Sequence, residues 1–408
     1  MRLVERHMIK ESSKEYRILD ELCFKSKNIY NTTLYHIRQE YIKSGTYLSY
    51  FSLQKKFQDE KQFDYYAIPS KVSQQTMRMV DQNFRSFFMA NVDYKKNPKK
   101  YKAKPRIPKY LDSIQGRFIT IYTNQAISKI WLDKGYIVLT KVKGIKIKLK
   151  AKIDRKNINQ IRIVPRIGYI AVEVIYTKSD SVKKKDNGKY ASIDLGVDNL
   201  ATITSNIDSH IPFVISGKKV KSINHYYNKR KAFLQSRIPK DKPFKTTKRM
   251  RRLCKNREFK INDYFHKASR YIVNHLVSQN INTLIIGNNK GWKQDTNIGK
   301  VNNQNFVSIP YYKLICMLTY KCEMEGISVN IVTEEYTSKC SFLDMEEIGK
   351  HDQYLGKRIK RGLFQSSNGT LINADVNGSY NILRKCKPNA FADGILGVVV
   401  HPYVLCLS

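Results

Sequence analysis

The chain has 408 residues, with 74 Lys and Arg against 34 Asp and Glu, which gives a formal charge of +40. Its hydrophobic fraction of 41% is high enough for buried cores, so a wholly disordered chain is excluded. The charge indicates a polyanionic partner, because neutralising phosphates releases condensed counterions. A simply solvated basic surface is the alternative. No apolar run of about 18 residues is present, and we expect no membrane partner.

The cysteines and the N-terminal stretch indicate the compartment. The seven cysteines form no CxxC pair, which is typical of buried thiols in a reducing environment. The stretch "MRLVERHMIKESSKEYR" lacks the apolar segment of a secretion signal. We therefore expect a cytoplasmic protein. The abundance of Lys, Ile, Asn and Tyr suggests an AT-rich, bacterial genome.

Helical periodicity dominates the N-terminal quarter. Residues 12–45 are predicted to form a helix that a capping box of Ser12 and Glu15 would start. A second helix is predicted to begin near Pro69. Its apolar stripe, which is most simply a core face, consists of Met77, Val80, Phe84 and Phe87. Three polar side chains lie mostly off that stripe and are candidates for contacting base edges, to which Gln and Arg are suited: Gln74, Gln75 and Arg78.

A basic segment, "YKKNPKKYKAKPRIPKY" at residues 94–110, follows this helix. Its three prolines exclude a continuous helix, and eight Lys or Arg alternate with three tyrosines. This pattern favours an extended arm that follows a phosphate backbone while its rings stack on bases. A solvated linker is the alternative. The candidate nucleic-acid-binding residues of the arm are Lys99, Lys100, Lys102, Lys104 and Arg106.

The periodicity changes to that of strands over residues 116–178. The stretch "IKIKLKAKI" alternates strictly between apolar residues and lysine, which predicts a strand with one basic face. We expect a small antiparallel β-barrel here. The polar stretch "SDSVKKKDNGK" at 179–189 is predicted to be a linker between domains.

The second half has the pattern of an α/β domain. Three short strands starting at "KYASIDLG" predict a meander, and helices then alternate with strands, which is the order of the ribonuclease-H-like fold. In this order Asp194 lies within the first strand, at the centre of the sheet, and Asp375 opens the last helix. A strand-end acid and an N-cap are the alternatives for the two taken singly. Together, on a strongly basic chain, they indicate ligands for divalent metal in phosphodiester cleavage.

The stretches "SIDLGVDNLATI", "LIIGNNKGW", "YTSKCSF" and "NADVNGSYNIL" resemble the RuvC-like motifs of TnpB proteins, transposon-encoded RNA-guided nucleases related to type V CRISPR effectors. The resemblance covers nearly the whole chain. It implies a β-barrel domain at 1–15 and 111–180, a helical recognition lobe with the basic arm at 16–110, and a RuvC-like nuclease domain at 186–339 and 367–408. Residues 340–366 would form an insertion in place of a zinc finger.

Two departures from the family pattern affect the site. The family usually has a glutamate at the end of the fourth strand, where this chain has Asn288, and a four-cysteine zinc finger, of which Cys340 alone remains. One thiol cannot form a tetrahedral zinc site, so no zinc is predicted. Glu334 or Glu335, one strand over, would supply the missing carboxylate, with Glu334 preferred. Acids ranked lower, in predicted loops, are Asp295, Asp344, Glu346 and Glu347.

The function that follows from the resemblance is an Mg²⁺-dependent, RNA-guided DNA endonuclease encoded by a mobile element. Asp194, Glu334 and Asp375 would hold two Mg²⁺ ions, or Mn²⁺, with Glu335 as the other catalytic candidate. The expected partners are a guide RNA from the transposon end and double-stranded target DNA read beside a short motif, with a monomeric protein at the nucleoid. The alternatives are a nuclease-inactive RNA-guided repressor and a general RNA-binding protein.

Overall fold

The computed structural model describes residues 1–179, 181–239, 246–289, 299–395 and 397–407, without the side chains of 300–302. The chain divides into two compact units, residues 1–179 and 180–408. The division falls at the N-terminal end of the predicted linker. Asp295 lies outside the described residues.

The first unit combines helices with short antiparallel sheets. In chain order its elements are β1 (Arg2–Lys10), α1 (Lys14–Ser44), α2 (Tyr50–Asp59), α3 (Phe63–Tyr66), α4 (Ser70–Lys96), β2 (Thr120–Thr123), α5 (Lys129–Asp133), β3 (Tyr136–Ile137), β4 (Ile147–Lys148), β5 (Ile158–Arg166) and β6 (Tyr169–Thr177). The predicted long helices are confirmed as α1 and α4. Helix α1 is capped by Ser13, whose Oγ accepts a hydrogen bond from the Tyr16 amide at 3.2 Å, and not by Ser12.

The strands of this unit pair in two separate sheets. Four of them form an antiparallel sheet in the order β1-β6-β5-β2, and β3 pairs with β4 in a two-stranded ribbon. In "IKIKLKAKI" the expected alternation occurs, since Ile145, Ile147 and Leu149 are buried, but only Ile147–Lys148 pairs as a strand. Side-chain alternation alone therefore overestimated the strand, and closure into a barrel stays a prediction.

The second unit contains a larger sheet and a small one. Its elements are β7 (Tyr190–Asp194), β8 (Asn199–Ser205), β9 (Phe213–Ser216), α6 (Lys218–Ser236), α7 (Lys248–Ser278), β10 (Thr283–Gly287), α8 (Lys300–Ser308), α9 (Tyr311–Met324), β11 (Ser328–Val332), β12 (Lys357–Lys360), β13 (Leu363–Gln365), β14 (Leu371–Asn373), α10 (Ala374–Cys386) and β15 (Tyr403–Leu405). The mixed α/β class predicted for the chain is confirmed.

The large sheet has the strand order β11-β10-β7-β8-β9-β15. Strands β7, β8 and β9 form the predicted antiparallel meander, and β10 and β11 run parallel to β7. Alternate residues of β10 face different layers: Leu284 and Ile286 pack with residues of α7 and α9, whereas Ile285 packs with residues of α10. The sheet is thus covered on both faces, and α10 lies on the face that Ile285 shares.

Helix α10 is tied to this face by hydroxyl groups. The Oγ of Ser192 in β7 donates to the carbonyl oxygen of Ser379 at 2.6 Å, and both residues are fully buried. Side chains two residues apart on a strand point to the same side, so Asp194 also faces α10. Among the described residues, no helix combines the length and apolar character that crossing a membrane requires.

Candidate active site

The site is built around the C-terminal end of β7, where Asp194 is the last residue of the strand. The carboxylate lies directly beneath α10, because a Cβ added to Gly378 would come within 2.9 Å of the Asp194 Oδ2. A glycine at this position of α10 therefore makes room for the acid. The polar group sits at the edge where the parallel strands β7, β10 and β11 end, the usual place for function in an open α/β sheet.

The strand beside Asp194 has no side chain at the same level. The register of β10 on β7 pairs Ile286 with Ile193 and so places Gly287 beside Asp194. The position that corresponds to Asp194 is thus Gly287, and the assignment of Asn288 to it was displaced by one residue. Asn288 points away from α10 by strand alternation, and its amide donates to the Val332 carbonyl at 2.8 Å.

The side chain of Glu334 lies over Gly287. A Cβ built on Gly287 would be 2.5 Å from the Glu334 Oε1 and 2.6 Å from its Cγ. Gly287 pairs with Val332 of β11, and Glu334 follows Val332 by two residues, so both point toward α10. The structure therefore brings a carboxylate from the next strand into the space that a side chain on β10 would occupy.

The two glutamates that follow β11 differ in environment. Glu334 is half-buried, and its backbone amide donates to the Asn289 Oδ1 at 2.8 Å, which holds the turn in place. Glu335 is exposed, and its carbonyl oxygen accepts from the Lys385 Nζ at 3.2 Å. The structure thus places Glu334 near Asp194 and turns Glu335 toward solvent.

Asp375 lies in the first turn of α10, whose N-cap is Asn373. The Asn373 Oδ1 accepts from the Asp375 amide at 3.0 Å, which fixes the helix start. The Asp375 Oδ2 accepts a 2.6 Å hydrogen bond from the side-chain amide of Asn199, the first residue of β8. Asn199 was not identified from the sequence. It orients Asp375 toward the edge of the sheet at which β7 ends with Asp194.

The electrostatics show that the acids interact. Burial raises the pKa of Asp194 well above its usual range, and the charges of Glu334 and Asp375 raise it further. The positive charge of Arg358 in β12 acts in the opposite direction on the pKa of Asp194. Burial also raises the pKa of Glu334 to about 7. Close carboxylates in a poorly solvated site repel each other, and a cation would relieve this repulsion.

The donor set suits a divalent cation in its chemistry. Among the described residues, no group of three or more His, Cys, Asp or Glu side chains is arranged closely enough to hold a metal ion. Nevertheless, the buried Glu334 Oε1 has no hydrogen-bond partner in the part of the chain that the structure describes, and carboxylate oxygens are the ligands that Mg²⁺ and Mn²⁺ prefer. Asp194, Glu334 and Asp375 therefore fit the ligand types of such a site.

The lower-ranked acids of the insertion have structural contacts. The buried Glu346 accepts backbone hydrogen bonds from Ser341 at 2.6 Å and from Leu355 at 2.9 Å. Asp344 binds the backbone and hydroxyl of Ser367, and Glu347 is exposed. Cys340 is buried, and its backbone carbonyl oxygen accepts hydrogen bonds from the side-chain amides of Asn377 and Asn381 in α10. Hydrogen bonds thus hold the region where the family has its zinc finger.

The predicted base-contacting residues of α4 lie in the first unit. Gln74 and Gln75 are half-buried, and the Gln74 Nε2 donates to the Tyr65 hydroxyl at 3.1 Å. Arg78 is exposed, and its guanidinium lies 4.9 Å from the ring centroid of Tyr50. Arg78 is thus the most accessible of the three, and their role in DNA contact stays a prediction.

The basic arm has no regular secondary structure after a short 3₁₀ turn at Pro98–Lys100, and its candidate side chains are exposed. Lys100 pairs with Asp93 at 2.6 Å, whereas no ion pair is described for Lys99, Lys102, Lys104 or Arg106. The tyrosines make internal contacts: Tyr101 donates to Asp93, and Arg38 lies 4.8 Å above the Tyr110 ring. The rings predicted to stack on bases thus pack on the protein in this structure.

Comparisons with known proteins cover most of the second unit. The family model OrfB_IS605, described as a probable transposase, matches residues 172–293, which include Asp194 and Gly287. The model of the Cas12f1-like TNB domain matches residues 311–382, which include Glu334 and Asp375. The TnpB-like protein ORF457 of Acidianus two-tailed virus is 26% identical over 234 residues, 55% of this chain.

The chain is thus similar in sequence to OrfB_IS605 transposases, to Cas12f1-like proteins and to a TnpB-like protein. The alignment with ORF457 spans 46% of that relative, less than half of its length. Solved structures with a similar course of the chain include a Cas12f1–sgRNA–target DNA complex, at 15% identity and a TM-score of 0.38 over 93% of this chain and 98% of that one. Another is Alicyclobacillus acidoterrestris C2c1 with single-guide RNA, at 7% identity and a TM-score of 0.39 over 92% and 68%.

Proposed function

We propose that this protein belongs to the TnpB family and is an Mg²⁺-dependent DNA endonuclease that uses a guide RNA from the transposon end. It would cut both strands of guide-complementary DNA beside a short target-adjacent motif. The observation that best supports an active nuclease is the position of Glu334 over Gly287, next to Asp194. A carboxylate from the strand after β10 takes the place of the acid that β10 lacks.

In this proposal Asp194, Glu334 and Asp375 would together hold the Mg²⁺ ions. When bound, the two ions would activate a water molecule and stabilise the leaving oxygen of the phosphodiester. The protein contributes preorganised geometry: Gly378 leaves space for Asp194, Asn289 holds the backbone of Glu334, and Asn199 orients Asp375. Arg358 would bind a phosphate oxygen of the target strand beside Asp194, since its charge acts on that site.

The first unit would bind the guide RNA and the target-adjacent motif. We propose that residues 16–110 form the recognition lobe, that 1–15 and 111–180 form the barrel domain, and that the RuvC-like domain comprises 186–339 and 367–408, interrupted by the 340–366 insertion. Exposed lysines of the arm would contact phosphates. Arg78, together with Gln74 and Gln75, would contact base edges of the motif.

A guided repressor without nuclease activity is the second candidate. The observation in its favour is that β10 ends at Gly287, is followed by Asn288, and contributes no acid to the site. Such a protein would bind a matched duplex through the same guide RNA but leave both strands intact. The two candidate functions differ only in whether the carboxylates of the site support cleavage of DNA.

The experiment starts with copurification of the protein and its native RNA from cells that carry the transposon end. Cleavage of a matched duplex is then measured with Mg²⁺, with Mn²⁺ and with EDTA. We expect cutting with either metal, none with EDTA, and none by Asp194→Ala, which should retain RNA-dependent DNA binding. Cutting by Asp194→Ala would refute the site, and binding without cutting by the wild type would establish the repressor.

A further inference from the structure

A groove between α6 and α7, away from the carboxylates, lies in the most basic part of the second unit. It encloses about 370 Å³, within the ~300–1,000 Å³ range of small-ligand sites. Its lining includes Ser222, Tyr226 and Tyr227 from α6, and Asn256, Arg257 and Lys260 from α7. The lining thus combines aromatic rings with a side-chain amide and two cations.

The walls of the groove are held in place by contacts within the protein. The Arg257 Nε donates to the Asn224 Oδ1 at 2.7 Å, and its Nη2 donates to the Ser308 carbonyl at 2.8 Å. The same guanidinium lies 4.9 Å from the centroid of the Tyr227 ring, whose hydroxyl contacts the Cys254 Sγ at 3.3 Å. Arg257 and Tyr227 therefore form a preorganised wall, which lowers the entropy cost of binding.

Tyr226 has a different environment from Tyr227. Its side chain is 61% exposed although it lines the groove, so its ring is available to a ligand. Phe233, seven residues further along α6, is 41% exposed, and the guanidinium groups of Arg230 and Arg237 lie 4.8 and 4.3 Å from its ring centroid. Seven residues are about two helical turns, so both rings lie on one face of α6, about 10 Å apart along the axis.

The positive charge around the groove favours a polyanionic ligand. Helix α6 has six Lys or Arg and no acidic residue, and the segment 248–260 of α7 has seven Lys or Arg and only Glu258 as an acid. Exposed rings between cations are the combination that binds single-stranded nucleic acid, because the rings stack on bases while the cations contact phosphates. A base paired inside a duplex cannot enter a groove of this kind, so the ligand must be unpaired.

We propose that the α6–α7 groove binds an unpaired base of a single-stranded nucleic acid, with Tyr226 as the stacking surface and Phe233 as a second contact along the strand. Asn256 would hydrogen-bond the edge of the base, and Lys260 would contact its phosphate. The inference rests on the proposed function only in that the protein works on nucleic acid. It requires neither a guide sequence nor cleavage.

The test measures binding of the full-length protein to fluorescent 12-nucleotide RNA and DNA single strands and to a duplex of the same sequence. The variants are Tyr226→Ala and Tyr226→Phe, with Tyr312→Ala as a control. Tyr312 of α9 is 78% exposed and does not line the groove. Since Tyr226 is largely exposed, its replacement leaves the fold intact, and a melting curve confirms this.

We expect Tyr226→Ala to weaken single-strand binding by at least about 5-fold, the lower end for loss of one base–aromatic stack. Tyr226→Phe and Tyr312→Ala should bind like the wild type. The slope of log K against log salt should not change in Tyr226→Ala, because no phosphate contact is lost. The strand type with the larger loss identifies RNA or DNA as the ligand.

Equal affinities of Tyr226→Ala and Tyr312→Ala for single strands would overturn the proposal, as would an equal loss of duplex binding. Guided cleavage of a matched duplex by the same preparations separates this result from the proposed nuclease. Loss of the Tyr226 effect with intact cleavage would refute the groove alone. Absence of cleavage with an intact Tyr226 effect would refute the nuclease alone.

Discussion

Two carboxylates of the second unit, those of the buried Glu346 and the half-buried Glu334, have opposite environments. Glu346 is 6% exposed, and each of its oxygens accepts a backbone hydrogen bond. The buried Oε1 of Glu334 accepts no hydrogen bond from any described residue, and burial raises the pKa of Glu334 to about 7. A buried acid that stabilises a fold is fully hydrogen-bonded, whereas an acid kept for a ligand is left unsatisfied at a cost in stability.

The largest effect on the rate of guided cleavage is expected from a substitution at Gly287, which lies beside Asp194 and beneath Glu334. In Gly287→Ala the new Cβ would come within 2.5 Å of the Glu334 Oε1, so the carboxylate must move. A displacement of about 1 Å at a reacting centre costs roughly 10²-fold in rate, and we expect a loss of that order in guided cleavage. The control is Gly349→Ala, whose Cβ would meet only the His351 Nε2 at 3.9 Å. Equal rates for both variants would contradict the assignment of Glu334.

Glu346→Ala tests whether the hydrogen bonds accepted by the Glu346 carboxylate stabilise the fold. It removes the acceptor of the Ser341 and Leu355 amides, which should lower the free energy of unfolding by about 2–4 kcal/mol. Thermal unfolding would measure this loss, with the exposed Glu347→Ala as the control. A melting temperature equal to that of the control would show that the insertion does not depend on these hydrogen bonds.

Glu334→Gln should have the opposite effect on stability. The folded-state pKa of Glu334 is raised to about 7 from 4.5, so the wild type loses stability as pH rises from about 4.5 to 7. In EDTA at pH 8 the variant should gain about 1–3 kcal/mol, and at pH 4 the gain should vanish. Glu335→Gln is the matched control and should change nothing. A Glu334→Gln protein less stable than the wild type at pH 8 would mean that this carboxylate is satisfied.

A smaller, pH-dependent effect is expected at His210, which the sequence did not bring to attention. Its Nε2 lies 2.9 Å from the Nε2 of His275, and burial and the neighbouring ring lower its pKa to about 4. The unfolded chain binds this proton near pH 6.5, so stability should fall as pH drops from about 6.5 to 4, by up to ~3 kcal/mol. His210→Gln should flatten this dependence in thermal unfolding, unlike the exposed His225→Gln. If the stability of His210→Gln depended on pH as that of the wild type does, the assignment of this effect to His210 would be refuted.

The sequence was sufficient for some elements of the site and not for others. The β7–β9 meander and the last helix, with Asp375 at its start, followed from local sequence patterns. The position of Gly287 directly beside Asp194 depends on the pairing of strands that are distant in sequence. A glycine also contributes nothing to the apolar pattern from which a strand register could be predicted. A one-residue shift in register turns every side chain to the other face, which explains the misassignment of Asn288.

The contacts missed by sequence reasoning are long-range ones. Asn199 bonds to Asp375 across 176 residues, and Arg358 acts on Asp194 from β12. The choice between Glu334 and Glu335, in contrast, follows from the alternation of a strand once Val332 is known to face α10. Strand alternation was therefore informative only where the partner strand was fixed.

The most direct test of the account is guided, Mg²⁺-dependent cleavage by Glu334→Ala, by Glu335→Ala and by the double variant Gly287→Glu/Glu334→Ala. The double variant returns a carboxylate to β10 beside Asp194, where the flexible Cδ1 of Ile382 must yield to it. We predict that Glu334→Ala loses cleavage, that Glu335→Ala retains it, and that the double variant regains part of it. Full cleavage by Glu334→Ala would contradict the central claim that the acid missing from β10 is supplied by Glu334.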